Sequence, residues 1–417
     1  MGNDVSGNNN DFTSSGLSAA DQVPDTPTKN YCVFNAINKS STFTLSDGNL
    51  TSTQSATSSR NSVGGTMYVG PTGKYYFEIT CVTNANEIQI GVGGTIMDIT
   101  STAADQADVW WYRASGEIYG NGTEGSSGDY STFTNGDVIQ VAVDMDASKI
   151  WFGKNGTFVG DPAAGSGEAF STLPDYVTPV SNAYLAGVTT LTCGQVSFAH
   201  SAPTGFKEIN TANLSTSNIL NGKKYFDTIL YEGNGDTQKI GQFQPITESF
   251  TVGNSALFID GDSCTLSKTF SSTPTSDRQG TFSWWFKRGK VQDQVTMLSQ
   301  THPGSGSRDT IYVQLSSADI LTVSMETASG TAIVRTTNRK FADTTQWVNI
   351  VIRIDGTQTD DSCMKIYING VQLTNFSSKT NLGSSTDLEL GSGTNPWTWG
   401  TLARYTSGNY YDGYMSE

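Results

Sequence analysis

The chain has 417 residues, enough for roughly two or three domains, with only 15% charged residues and 44 glycines. This composition argues against long charged helices and favours an all-β, turn-rich protein, because Thr, Val, Tyr and Phe are abundant. The net charge of −15 without a Lys/Arg cluster argues against a nucleic-acid partner. No apolar stretch approaches the ~18 residues that a membrane span needs, so membrane insertion is not expected.

Residues 1–30 are polar, rich in Gly, Asn and Ser, and end in “PDTPTKN”. Two prolines this close together oppose regular secondary structure. We therefore predict an extended arm or linker, which in one interpretation is held against a neighbouring surface.

Strand patterns fill residues 31–214. The clearest stretch is “GDVIQVAVDMDASKIWFGKNGTFVG”, in which Ile139, Val141 and Val143 fall on one face of a strand. The Asn-Gly pair that follows favours the positive φ angles of a tight hairpin. The pattern predicts a meander of three antiparallel strands within a first β-sandwich.

Residues 215–249 form a predicted junction, and a second series of strands occupies residues 250–417. The strands recur at intervals of about 8–12 residues, which is typical of a β-sandwich. A second Asn-Gly hairpin lies in “MKIYINGVQLTN”. The predicted fold is all-β, with two antiparallel β-sandwich domains joined by a linker.

The cysteine pattern indicates the redox environment in which the chain folds. The five cysteines are Cys32, Cys81, Cys193, Cys264 and Cys363. Their wide spacing without a CxxC pair predicts buried thiols rather than a disulfide framework or a zinc site. The N-terminus has no signal-peptide pattern, so we expect synthesis in a reducing cytoplasm.

Two groups of motifs carry family resemblances. “GKYYFEI”, “IGVGG”, the meander stretch and “SFAHSAPTGFKEIN” make residues 66–214 resemble an SPRY domain. “GTFSWWFKRG”, “WVNIVIRIDG”, “MKIYINGVQL” and “YYDGYMSE” make residues 250–417 resemble a concanavalin A-like sandwich of the laminin-G type. The first resemblance implies a non-catalytic binding module whose loops select the partner. The second implies a family with carbohydrate-binding and calcium-dependent members.

The order of these domains, after “DVSGNNNDFTSSGLSAADQVPDTPTKN”, resembles tail-fibre-like structural proteins of tailed bacteriophages. This resemblance implies a non-catalytic virion protein, made in the host cytoplasm and acting outside it, that presents binding modules to a host-surface glycan or protein. It also implies contacts with other virion proteins and a homo-oligomer, for instance a trimer. Because the family continues beyond “YYDGYMSE”, we expect the second sandwich to be truncated and to expose an edge there.

Two alternatives stay open. The first is a purely structural virion protein, a capsid decoration or spacer that contacts only other virion proteins. The second is a glycan-degrading enzyme, which would need two carboxylates about 5–9.5 Å apart. Asp387 and Glu389 share a strand face, and Asp144 and Asp146 flank a turn, but an exposed face and turn capping explain these pairs better. We expect no catalytic residue and no enzyme activity.

Aromatic clusters are the candidate ligand sites, because exposed rings of this kind mark interfaces and binding surfaces. Their members are Trp110, Trp111 and Tyr112 in “DVWWYRASGEIYGNG”, and Trp397, Trp399 and Tyr405 in “NPWTWGTLARYTSGNYYDGY”. In the alternative interpretations, the rings cover the end of a sandwich or pack on a sister subunit.

A calcium site is the one cofactor to consider. Asp355, Asp360 and Asp361 lie in the hairpin loop “IDGTQTDDS”, and calcium prefers several carboxylate and carbonyl oxygens. The alternative is that they are solvated turn acids.

Overall fold

The computed structural model describes residues 2, 10–55, 59–84, 87–101, 106–125, 130–214, 252–270, 276–301, 309–326, 332–385, 388, 390, 396–402 and 409–416. These residues divide into two compact units, each a sandwich of antiparallel sheets. The predicted all-β fold with two β-sandwich domains is therefore confirmed. Among the described residues there is no helix of the length and hydropathy needed to cross a membrane.

The N-terminal arm contains two short strands, β1 (Thr13–Ser15) and β2 (Gln22–Val23), on either side of a 3-10 turn at Ala19–Asp21. Ser18 caps this turn through a capping box with Asp21. The arm is thus locally ordered by its own polar side chains.

The first sandwich lies between Thr28 and Leu214 and pairs two sheets. Its strands are β3 (Phe34–Lys39), β4 (Phe43–Ser46), β5 (Thr51–Gln54), β6 (Arg60–Gly65), β7 (Lys74–Asn84), β8 (Ile88–Gly93), β9 (Val109–Arg113), β10 (Ile118–Gly120), β11 (Thr123–Glu124), β12 (Val138–Asp144), β13 (Lys149–Lys154), β14 (Thr157–Phe158), β15 (Thr178–Tyr184) and β16 (Gly187–Thr192). Sheet I has the order β11-β10-β9-β8-β15-β6-β3, and sheet II has the order β14-β13-β12-β7-β16-β5-β4.

The predicted meander is β12, β13 and β14, which pair antiparallel in sequence order. Ile139, Val141 and Val143 are fully buried between the sheets, as the alternation predicted. Asn155 and Gly156 have φ angles of 48° and 90°, the positive values that this tight turn requires.

The second sandwich combines the arm with the chain after residue 251. Its further strands are β17 (Ser255–Phe258), β18 (Thr265–Lys268), β19 (Gln279–Arg288), β20 (Val295–Thr301), β21 (Asp309–Leu315), β22 (Ile320–Glu326), β23 (Ala332–Lys340), β24 (Val348–Asp355), β25 (Met364–Ile368), β26 (Val371–Gln372), β27 (Phe376–Thr380), β28 (Trp397–Trp399) and β29 (Gly413–Ser416), with 3-10 turns at Asp260–Asp262 and Asp361–Cys363. Sheet III has the order β1-β18-β28-β20-β21-β22-β23-β27, and sheet IV has the order β2-β17-β29-β19-β24-β25-β26.

The arm adds an outer strand to both sheets of the second sandwich, because β1 pairs with β18 and β2 pairs with β17. The first sandwich is therefore inserted in sequence between two parts of the second, a topology that the sequence patterns do not predict. The exposed edge expected at “YYDGYMSE” is not formed by β29, which pairs with both β17 and β19.

Each sandwich has its own apolar core, and all five cysteines are buried, as predicted. Burial, with a smaller contribution from the negative charge of Asp137, raises the pKa of Cys81 to about 12. This thiol is therefore held protonated and unreactive, which is typical of a structural cysteine.

Candidate functional site

The outer face of sheet I carries the candidate site. Ile90 of β8 and Trp110 and Tyr112 of β9 belong to the core, so alternate residues of the same strands point outward. We call this outward surface the polar face; its members are Arg60, Ser62 and Gly64 of β6, Gln89, Gly91 and Gly93 of β8, Val109, Trp111 and Arg113 of β9, Tyr119 of β10, and Val180, Asn182 and Tyr184 of β15.

Cross-strand pairing arranges the polar face in rows. Asn182, Gln89 and Arg113 lie opposite one another on three neighbouring strands, which gives a polar row. In the adjacent row, Gly91 separates Val180 from Trp111. A Cβ at Gly91 would lie 2.0 Å from the Trp110 carbonyl oxygen, so only glycine fits beside the strand that carries the Trp111 indole.

The buried polar atoms of the polar face that have no hydrogen-bond partner within the described part of the chain include Nε1 of Trp111 and Oδ1 of Asn182. Both side chains are 0% exposed. By contrast, the neighbouring Trp110 donates its indole N–H to Thr172 Oγ1 at 3.3 Å. Because a buried unsatisfied group costs about 1–3 kcal/mol, native proteins retain few of them. These two atoms make the polar face a candidate binding surface.

A loop of residues 94–101 covers this surface. Met97 packs against Val109, Trp111 and Val180, and its Sδ would lie 2.3 Å from a Cβ on Gly93. A side chain at this glycine would therefore displace Met97. One flexible thioether thus fills the space beside the Trp111 indole.

The loop is held at both sides of Met97. Before Met97, Ile96 donates its backbone N–H to Asp108 Oδ2 at 2.8 Å. After Met97, Ser62 donates its backbone N–H to the carbonyl of Ile99 at 3.0 Å, and Asp98 accepts from the amide and hydroxyl of Thr100 at 2.9 and 2.8 Å. Ile96 at the tip is 84% exposed. The loop is thus ordered around an exposed apolar tip.

A charged rim borders the polar row. Glu87 is bonded by Arg60 and by Arg113, the latter at 2.9 Å. The two guanidinium groups lie over tyrosine rings, Arg60 at 5.2 Å from Tyr184 and Arg113 at 5.3 Å from Tyr119. Burial alone would raise the pKa of Glu87, but the hydrogen bond and charges of the two arginines lower it below its usual range.

This lowered pKa predicts how the rim contributes to stability. A carboxyl group whose pKa is lower in the folded state stabilises it above the unfolded value of ~4.3, and the contribution is lost as the pH falls through the folded pKa. We expect Glu87→Gln to lower the melting temperature of the first sandwich at neutral pH, with the difference shrinking as the pH falls below ~4.3. Thermal unfolding across this pH range tests the prediction, and a constant difference at every pH would contradict it.

The predicted aromatic platform of the first sandwich is not exposed. Trp110 and Tyr112 are 2% and 1% exposed and belong to the core, because their positions alternate with that of Trp111 along β9. For these two residues, the alternative in which the rings cover the sandwich fits the structure. Only Trp111 stays a candidate ligand-binding residue, beneath Met97.

The second predicted platform is also packed inward. Trp397 and Trp399 share a side of β28, as their spacing predicted, and their rings lie 5.0 Å from those of Phe282 and Trp284. Trp397 is 7% exposed. These rings therefore support the second core and do not present a platform. Tyr405 lies outside the described residues.

The three predicted calcium ligands do not converge. Asp355 is buried and pairs with Arg353 at 2.7 Å, Asp360 caps the following 3-10 turn, and Asp361 pairs with Lys379 at 2.8 Å. Across the described part of the chain, no three acidic, His or Cys side chains group as metal ligands. The structure thus does not bring this trio together, because each acid has its own turn or ion-pair role.

The acid pairs considered for catalysis were Asp144 with Asp146, and Asp387 with Glu389. Asp144 accepts hydrogen bonds from the amides of Asp146 and Ala147 at 3.1 and 3.2 Å, so the predicted turn capping is confirmed for it. Asp387 and Glu389 lie outside the described residues.

The outer face of sheet II provides a contrast to the polar face. Here Glu78 accepts from the hydroxyl of Tyr76 at 2.6 Å and from the amides of Ala199 and His200 at 2.7 and 2.9 Å. Trp151 of the same face donates its indole N–H to a backbone carbonyl at 2.9 Å. These polar groups are satisfied by the protein itself, which identifies this face as structural.

Comparisons with known proteins identify both domains. Residues 74–190 match the SPRY domain family, and residues 260–417 match the concanavalin A-like lectin/glucanases superfamily. A solved structure of the SPRY domain of human HERC1 is 22% identical over 38% of this chain and 96% of that chain, with a TM-score of 0.31. A human SPRY domain is 18% identical over 36% of this chain and 94% of that chain, with a TM-score of 0.26. No curated protein matches.

The chain therefore carries an SPRY domain followed by a concanavalin A-like domain of the laminin-G type, as the motifs predicted. Both are ligand-binding modules.

Proposed function

We propose that this chain is a non-catalytic binding protein that holds a surface glycan or protein on the polar face of its SPRY domain. The observation that carries the proposal is the unsatisfied pair of buried atoms, the Trp111 indole N–H and Asn182 Oδ1. One is a donor and the other an acceptor, so a ligand with hydroxyl or amide groups complements both.

The ligand must be longer than one sugar ring. The strands that carry Trp111 and Asn182 flank β8, and neighbouring strands are ~4.8 Å apart, so the backbones that carry the two groups lie roughly 10 Å apart across the sheet. Binding requires Met97 to leave its place above Gly93, and the loop of residues 94–101 then opens. Displacement of one flexible apolar side chain is a modest cost compared with new hydrogen bonds in a dry site.

Bond cleavage is not part of the proposal. Hydrolysis of a glycan needs two carboxylates placed on either side of the scissile bond. Among the acids beside the polar face, Glu87 and Glu117 pair with Arg113, and Asp98 and Asp108 accept hydrogen bonds from backbone amides of the covering loop. Each thus has a structural partner. An oligosaccharide should therefore be bound and released intact.

We place this binding protein in the virion of a tailed bacteriophage, as a tail-fibre-like component that acts outside the cell. The order of the two domains supports this setting, together with the polar arm that leads into them. Its partners are then a host-surface glycan or protein, other virion proteins and copies of itself. The inward packing of Trp397 favours a second role, that of a structural spacer, for the concanavalin A-like domain.

Two matched substitutions test the polar face. Trp111→Phe removes an unpartnered donor and part of a buried ring, so we expect binding to weaken about threefold to tenfold, the worth of one hydrogen bond. Its stability should fall only by the cost of the smaller ring. Trp110→Phe removes the hydrogen bond to Thr172 and should lower stability without changing binding. Retention of labelled protein on host bacteria and on their isolated polysaccharides measures the first effect, and denaturant unfolding measures the second.

Equal binding by both variants would contradict the assignment of the polar face. Absence of wild-type retention on every host surface tested would contradict the proposed function itself.

A further inference from the structure

The N-terminal arm places one buried charged side chain, that of Asp25, within the second sandwich. Asp25 is 0% exposed, and its carboxylate lies 2.6 Å from the ammonium of Lys287, whose side chain is 1% exposed. The indole N–H of Trp347 donates to the same carboxylate at 3.0 Å, and the Ser255 hydroxyl donates to the Asp25 carbonyl. The interior of this sandwich is therefore built to receive a carboxylate from the arm.

Backbone pairing adds contacts between other residues of the arm and the second sandwich. Thr13 pairs with Ser267 in sheet III, and Gln22 pairs with Ala256 in sheet IV. Between these strands, the thiol of Cys264 donates to the Gly16 carbonyl at 3.2 Å. The arm thus covers the outer strand of both sheets. We call β17, β18, Lys287 and Trp347 the arm receptor.

The arm and the arm receptor are far apart in sequence. Asp25 is 230 positions from Ser255 and 322 positions from Trp347, and the whole first sandwich lies between them. No short turn forces the two to meet within one chain. Because the tether is long, the effective concentration of the arm at the arm receptor of its own chain is on the order of millimolar at most. Arms of neighbouring copies in an assembly can reach the same concentration.

We propose that the arm is exchanged between copies, so that the arm of one chain occupies the arm receptor of a second copy. The contacts are the same in both arrangements, which is why exchange between identical chains costs little. Pro24 and Pro27 flank Asp25 and restrict the arm to extended conformations, so it loses little entropy on binding. Buried Lys287 selects against segments without a carboxylate at this position. Reciprocal exchange gives closed dimers, and one-way exchange gives open chains.

Single cysteines at register partners test the proposal. Gln22→Cys and Ala256→Cys chains, carrying tags of different mass, are co-expressed so that arms meet receptors during folding, and are then treated with a mild thiol oxidant. The native cysteines are buried and do not compete. We expect a covalent dimer with one chain of each kind on a non-reducing gel.

The control uses a Val371→Cys chain in place of the Ala256→Cys chain. Val371 is 51% exposed and lies on β26, at the opposite edge of sheet IV from β2. It should give no dimer with Gln22→Cys. The double variant Gln22→Cys/Ala256→Cys confirms that the two cysteines can join at all. If this double variant closes only within single chains and the co-expressed single variants stay monomeric, arm exchange is overturned.

Discussion

Asp25→Ala should lower the free energy of unfolding of the second sandwich by about 3–5 kcal/mol, the usual cost of removing one partner of a buried ion pair. The substitution takes away the carboxylate that lies 2.6 Å from Lys287 and the acceptor of the Trp347 indole. Denaturant unfolding monitored by tryptophan fluorescence measures the loss. The transition of the first sandwich should not move, because Asp25 belongs to the other unit.

Two companion variants separate charge from packing. Asp25→Leu combined with Lys287→Met replaces the ion pair by apolar side chains, and we expect it to recover much of the loss. Gln22→Ala changes an exposed residue of the same arm and should cost less than about 0.5 kcal/mol. An Asp25→Ala chain as stable as the Gln22→Ala chain would contradict the structural role of the arm.

Glu78→Ala should destabilise the first sandwich by about 3 kcal/mol or more, because it leaves three donors unsatisfied at roughly 1–3 kcal/mol each. These donors are the Tyr76 hydroxyl and the amides of Ala199 and His200. Burial first, and then the hydrogen bond to Glu78, raise the pKa of the Tyr76 phenol well above its usual value, so this hydroxyl stays a donor. Denaturant unfolding gives the magnitude, and hydrogen exchange at Ala199 and His200 should become faster.

A graded control accompanies this substitution. Tyr76→Phe removes one of the three hydrogen bonds and should cost about 1 kcal/mol. Glu124→Ala changes an exposed acid and should have almost no effect. If Glu78→Ala resembled Glu124→Ala, the assignment of the outer face of sheet II as structural would be wrong.

Local patterns in the sequence predicted the scaffold well. The alternation of Ile139, Val141 and Val143 identified a core-facing strand, and Asn155-Gly156 identified its hairpin, because both depend on neighbours in sequence. The position of the arm could not be predicted in this way. Its strands have two or three residues, too few for periodicity, and their partners lie more than 200 positions away.

The candidate site was only partly predictable. Adjacent Trp110 and Trp111 had to face opposite sides of β9, but alternation does not tell which side is the core. Asn182 was not predicted because its sequence context does not distinguish it from an ordinary polar position in a strand. Whether such a side chain is satisfied depends on its cross-strand neighbours, which only the folded sheet reveals.

The central claim is that a surface ligand reaches the Trp111 indole on the polar face. Nuclear magnetic resonance of the indole N–H groups tests it most directly, with the Trp111 signal identified by its loss in Trp111→Phe. On addition of a polysaccharide that retains the protein, we predict that this signal moves downfield as its hydrogen bond forms, while that of Trp110 stays in place. An unmoved Trp111 signal, with changes only at Trp397 or Trp399, would contradict the account.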